Sequence, residues 1–134
     1  MASYTGSCLC QGIRFEIDGE LAPIQVRHCQ QCRKAQGTPF VTNISVAASA
    51  FRITAGAALM QAFESSPGKK RCFCRQCGSP VISLRDDKPE VVRVRAGLLD
   101  GALDTRPASH AYTASRVNWW EIRDDLPRFP GART

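Results

Sequence analysis

Seven cysteines carry the most conspicuous chemistry of this 134-residue chain, and they fall into three groups. These are Cys8-Leu9-Cys10, Cys29-Gln30-Gln31-Cys32 and Cys72-Phe73-Cys74-Arg75-Gln76-Cys77. Structural zinc takes four thiolate or imidazole ligands in a tetrahedron, and a Cys-x-x-Cys pair supplies two of them from one tight turn. Gly78 follows Cys77. Glycine accepts the positive φ such a turn needs and lets backbone amides approach the sulfurs. Cys74 and Cys77 therefore read as half of a zinc site. The other half comes from Cys8 and Cys10 or from Cys29 and Cys32, and spacing leaves both open. If Cys8 and Cys10 supply it, the metal closes a long loop and removes unfolded-chain entropy, as a disulfide does.

The elements that must position these sulfurs are short strands. Ile13 to Ile17 alternates apolar and polar residues, as a strand with one buried face does, and Ile24-Gln25-Val26 repeats the pattern briefly. Phe40 to Val46, Phe51-Arg52-Ile53, Val81 to Leu84 and Val91 to Arg95 also read as strands, separated by Gly and Pro. Helical periodicity is weak, with short candidates at Cys32 to Gln36 and Ala47 to Ala50. Trp119 and Trp120 are expected as lids on the core. Alternation places Cys72 and Cys74 on one face of a strand with Phe73 opposite. The expected fold class is mainly β, in a single domain spanning residues 1–134. A core this small gains from a metal crosslink.

Composition narrows the class. Hydrophobic residues make up 43% and charged residues 22%, close to globular averages. No apolar run approaches the ~18–20 residues of a membrane-spanning helix. Met1-Ala2-Ser3-Tyr4-Thr5 has no basic region leading to an apolar core, so a cytoplasmic location is expected. In that compartment clustered, odd-numbered cysteines point to metal rather than to disulfides. The net charge of +6, with Lys69-Lys70-Arg71 and Arg93/Arg95, raises a nucleic-acid reading. Asp86-Asp87, Glu90, Asp124 and Asp125 interrupt that basic surface, so the reading is disfavoured.

Gly6-Ser7-Cys8-x-Cys10-x-Gly12-x-x-Phe15 resembles the opening of the glutathione-dependent formaldehyde-activating enzyme family, which includes centromere protein V. His28-Cys29-x-x-Cys32-Arg33-Lys34 and Phe73-Cys74-x-x-Cys77-Gly78-Ser79-Pro80 resemble its second and third motifs. The resemblance also runs through Phe63 to Lys69 and Trp119 to Ile122. It implies small coiled antiparallel sheets around a structural zinc held by Cys8, Cys10, Cys74 and Cys77. It further implies a carbon–sulfur lyase that joins glutathione and formaldehyde into S-hydroxymethylglutathione. In the family's Cys-His-Cys-x-x-Cys motif the three cysteines hold a catalytic zinc. Cys29 and Cys32 match the last two, which makes them the candidate catalytic residues, but the first position is Arg27.

Arginine stays protonated and has no lone pair for a metal. A second zinc site on Cys29 and Cys32 therefore needs a third ligand. Cys72, a neutral His28 or His110, or a substrate thiol would supply it. Arg27, Arg33 and Lys34 are candidates to hold a glutathione carboxylate. The alternatives to the enzyme are a catalytically degenerate zinc scaffold and a dithiol redox or binding module, in which a nearby arginine activates the Cys29-x-x-Cys32 thiols. The expected partner is a small thiol or aldehyde substrate, with no membrane partner.

Overall fold

The computed structural model describes residues 2–133. Ten strands form two sheets. β1 (Ser3–Ser7), β2 (Arg14–Asp18) and β5 (Phe51–Ala55) make an antiparallel three-stranded sheet in the order β1-β2-β5. The second sheet has seven strands. It contains β3 (Ile24–Arg27), β4 (Val41–Ala47), β6 (Met60–Ser66), β7 (Lys69–Cys74), β8 (Pro80–Arg85), β9 (Val91–Arg95) and β10 (Pro107–Ala111). Its order is β10-β3-β4-β9-β8-β7-β6, antiparallel except where β10 runs parallel to β3. The fold is thus mainly β, as expected, with one sheet larger than small coiled sheets would be and one parallel pair. Among the described residues one α-helix, α1 (Gln30–Gln36), starts directly after Cys29 and ends at Gly37.

Alternation decides which side of each strand is buried. In β2, Phe15 and Ile17 point inward with Ile13 just before them. In β4 and β9, Ile44, Val46, Val92 and Val94 do the same. These side chains and Val81, Ile82, Cys8, Cys72 and Cys74 belong to one apolar core shared by both sheets. At about 25 cal/mol per Å² of apolar surface removed from water, this shared core is the main source of stability. The opposite face of the large sheet is polar. The cross-strand pairs Asn43–Arg95, Ser45–Arg93, Ser83–Arg93 and Arg71–Ser83 lie on it.

One close approach fixes the loop between β1 and β2. Gly56 has φ +77, and a Cβ there would overlap the Gly12 carbonyl. Only glycine accepts both constraints.

One expectation is corrected. Trp119 and Trp120 are not core lids: they are 67% and 49% exposed, in an irregular C-terminal stretch that lies over the sheet end. Trp120 reaches only the edge of Phe40, at 6.0 Å between ring centroids. The strands β1, β6, β7 and β10 have mixed composition, and neighbouring strands stabilise them more than their own pattern does. Among the described residues no helix is long and apolar enough to cross a membrane.

Candidate metal centre and the Cys29–Cys32 region

The sulfurs of Cys8, Cys10, Cys74 and Cys77 all lie within 4.8 Å of one another. Cys8 and Cys10 are 3.5 Å apart, and Cys10 and Cys74 are 3.8 Å apart. A tetrahedron of zinc–sulfur bonds near 2.3 Å has edges of about 3.8 Å, so four cysteine sulfurs at this spacing fit a zinc ion. Two turns present them. The Cys8 turn is closed by the Gln11 amide donating to the Cys8 carbonyl and by the Cys8 amide donating to Ile13. The Cys74 turn is closed by the Gly78 amide donating to the Cys74 carbonyl at 2.7 Å, with Gly78 at φ +81. The Leu9 amide donates to the Ser79 hydroxyl oxygen and ties the two turns together.

Hydrogen bonds shape the charge of the cluster. The Ile13 amide reaches the Cys8 sulfur at 3.3 Å, and the Gln76 side-chain amide reaches that of Cys10 at 3.4 Å. The Ser79 hydroxyl, then its amide, hold the Cys77 thiol down at about 5. The Gly12 amide favours the Cys10 thiolate, but the neighbouring sulfurs of Cys8, Cys77 and Cys74 prevail and push Cys10 up to about 11. Four neighbouring thiols therefore cannot all ionise unaided. A divalent cation among them relieves that repulsion. Cys8 and Cys74 are buried on the core side, and Cys10 faces solvent.

The second cysteine region is arranged differently. Cys29 and Cys32 are joined by a disulfide across the first turn of α1. Cys72 lies in the core, outside the four-sulfur cluster, with burial pushing its thiol up. Among the described residues no other group of three His, Cys, Asp or Glu side chains is close enough to share a metal. The second site expected on Cys29, Cys32 and Cys72 is not assembled in this structure, where Cys29 and Cys32 are joined to each other. A disulfide offers no thiolate, Arg27 offers no lone pair, and Cys72 is committed to the core.

His28 and His110 bond to each other. His28 Nε2 and His110 Nδ1 are 2.9 Å apart, and His110 Nε2 is 2.9 Å from an Asp124 carboxylate oxygen. Burial, then His110 and Arg116, hold His28 down at about 4. Asp124 has no pattern in the sequence that pairs it with His110; the chain returns there only through the fold.

The remaining candidates separate. Arg27 lies over the Tyr112 ring, 4.9 Å from its centroid, on the polar face of the large sheet. Lys34 is exposed, and Arg33 is half-buried on α1. Arg71 is the residue that sequence reasoning missed as a neighbour of the sulfurs: its Nη2 is 3.7 Å from Cys32 Sγ. The Lys69-Lys70-Arg71 run was its only signal.

Comparison with known proteins places this geometry. Residues 3–115 match the family model described as glutathione-dependent formaldehyde-activating enzyme. The crystal structure of a Rhodobacter sphaeroides protein has the same fold, with a TM-score of 0.63 at 22% identity, covering 78% of this chain and 99% of that one. No curated protein sequence matches the chain significantly.

Proposed function

The chain belongs to the glutathione-dependent formaldehyde-activating enzyme family, and on that premise we propose that it is a zinc-stabilised protein acting on a small thiol and an aldehyde. The four-sulfur cluster of Cys8, Cys10, Cys74 and Cys77 carries the zinc part of this reading. A zinc held there neutralises the thiolates and ties the start of the chain to its middle. Its role is structural, because four protein ligands leave no open position.

The reaction proposed is the family's carbon–sulfur step. The substrate sulfur bonds to the carbonyl carbon, the carbonyl π bond breaks, and the thiol proton ends on the new hydroxyl. No second zinc enters this step. Arg71 beside Cys32 and the other cations of the same sheet face favour a thiolate at this place. The protein is read as cytoplasmic.

A second reading has its own observation, the Cys29–Cys32 bond. In it the pair is a dithiol–disulfide couple: two substrate thiols are oxidised to a disulfide while Cys29 and Cys32 are reduced to thiols. One experiment separates the two. Reduced protein is added to glutathione and formaldehyde, and exchange between free thiol and S-hydroxymethylglutathione is followed by NMR. Acceleration over buffer supports the carbon–sulfur reading. No acceleration, with stoichiometric formation of glutathione disulfide by the oxidised protein, supports the redox reading and overturns the first.

A further inference from the structure

The polar face of the large sheet gathers cations with almost nothing opposite in charge. Arg27 from β3, Arg93 and Arg95 from β9, and Lys69 and Arg71 from β7 share it. Arg71 is 8% exposed and Arg95 only 4%. Burial, then the other arginines of the face, hold Lys69 down at about 7. Burial, then Arg71 and Arg27, hold Arg95 down at about 10. The acidic group acting on Arg93 is Asp87, at the rim, where it already pairs with Arg85.

The polar atoms between these cations are left open. Arg95 bonds Asn43 through Nη1, but its Nε is buried without a partner, as is Nη1 of Arg93. Ser83, 1% exposed, stands between Arg71 and Arg93 in the cross-strand register, and its hydroxyl also lacks a partner. Buried cations without counter-charges weaken a fold, and well-packed apolar residues serve stability better. Like charges on neighbouring strands add to the cost. Tyr112, whose ring lies against Arg27, has φ 57, a conformation uncommon for a non-glycine residue. Together these features point to an occupant that repays the strain.

We propose that this face is a binding site for a small multivalent oxyanion, a ligand carrying two or more negative charges on phosphoryl or carboxylate oxygens. Arg71 already gives Nε to Ser65 and Nη2 to Cys32; the unpartnered nitrogens of Arg93 and Arg95 suit such oxygens, and Ser83 supplies a hydroxyl donor. Clefts of ≈ 380 Å³, reaching Arg27 and Arg93, and ≈ 430 Å³, reaching Arg27 and Lys69 with Asp86 and Asp87 also on its wall, are of small-molecule size, and Arg71 and Arg95 line a third of ≈ 220 Å³. The cations are recessed between strands rather than spread over an open surface, which favours a small ligand over a nucleic-acid backbone.

Binding is read without turnover, so the result does not depend on the reaction proposed above. Calorimetric titrations with inorganic phosphate, pyrophosphate and citrate are compared with chloride at matched ionic strength. Saturable binding of the phosphates alone, of citrate alone or of both supports the site and tells which oxygens it takes. Binding no stronger than that of chloride overturns it. Arg93→Met, which removes a cation with an unpartnered nitrogen, is expected to raise the melting temperature of the ligand-free protein and to weaken anion binding at least tenfold. Arg71→Gln is expected to weaken it similarly, and Arg123→Gln, at an exposed cation paired with Glu121, to leave it unchanged. Full binding in both Arg93→Met and Arg71→Gln overturns the assignment. A single-stranded DNA oligomer that binds more tightly than pyrophosphate, and loses binding in the same variants, overturns it in favour of nucleic acid.

Discussion

His28 Nε2 lies 2.9 Å from His110 Nδ1, with both imidazoles almost wholly buried and a carboxylate of Asp124 on the far side of His110. One proton between the two ring nitrogens satisfies both, so His28 is neutral in the fold. It is held near 4, below its ordinary 6.5. Between those values the unfolded chain binds a proton that the folded protein refuses. Stability contributed by the neutral ring is therefore fully present above pH 6.5 and is lost as pH falls toward 4. The loss is on the order of 2–3 kcal/mol across that window. Denaturant melts of the wild type and His28→Gln at pH 7 and pH 4.5 check this. The variant is expected to show a smaller difference between the two pH values, and an equal difference counts against the neutral pair.

Metal analysis of protein purified without added metal is expected to give one zinc per chain. Cys10→Ser and Cys74→Ser each remove one of the four sulfurs and are expected to lose it, with a large fall in melting temperature. Cys29→Ser and Cys32→Ser are expected to keep it. Two zincs in the wild type, with one lost in Cys29→Ser, would establish a second site on Cys29 and Cys32.

Thiol labelling separates the states of Cys29 and Cys32. Zinc-loaded, oxidised protein is expected to show no fast-reacting pair, since Cys72 is buried and its thiol is pushed up. Mild reduction is expected to release two fast thiols, with Cys32 activated by Arg71 at 3.7 Å. Two fast thiols before reduction would mean that the disulfide does not persist in solution.

Gly56→Ala is expected to be among the most damaging single-atom-group additions in the chain. The new methyl would meet the Gly12 carbonyl while the backbone holds φ at +77. Strain and overpacking together are expected to cost at least ~2 kcal/mol. The Cys8–Cys10 turn rests on the same contact, so zinc retention on dilution into chelator is expected to fall as well. A melting temperature within a degree of the wild type would exclude this role for Gly56.

The strands with strict alternation were legible in the sequence. Ile13 to Ile17 and Val91 to Arg95 appear in the fold within a residue or two of their expected limits. Their pattern is local, and the hydrophobic effect reads it the same way in any partner arrangement. The Cys74-x-x-Cys77-Gly turn was legible for the same reason, since its geometry is contained in five residues. The exposed Trp119 and Trp120 were misjudged because aromatic character alone does not place a segment that follows the last strand.

What the sequence alone determined about this protein is its local chemistry: two short cysteine turns, a family resemblance and a β-rich chain. Tertiary structure alone brought the sulfurs of Cys8 and Cys10 beside those of Cys74 and Cys77, where spacing had left Cys29 and Cys32 equally eligible. It alone joined His28 to His110 and Asp124, and set Arg71, Ser83, Arg93 and Arg95 on one face. The physical reason is register. Neighbours across a sheet are chosen by which residues of distant strands pair, and a one-residue slip would turn every one of these side chains to the other face.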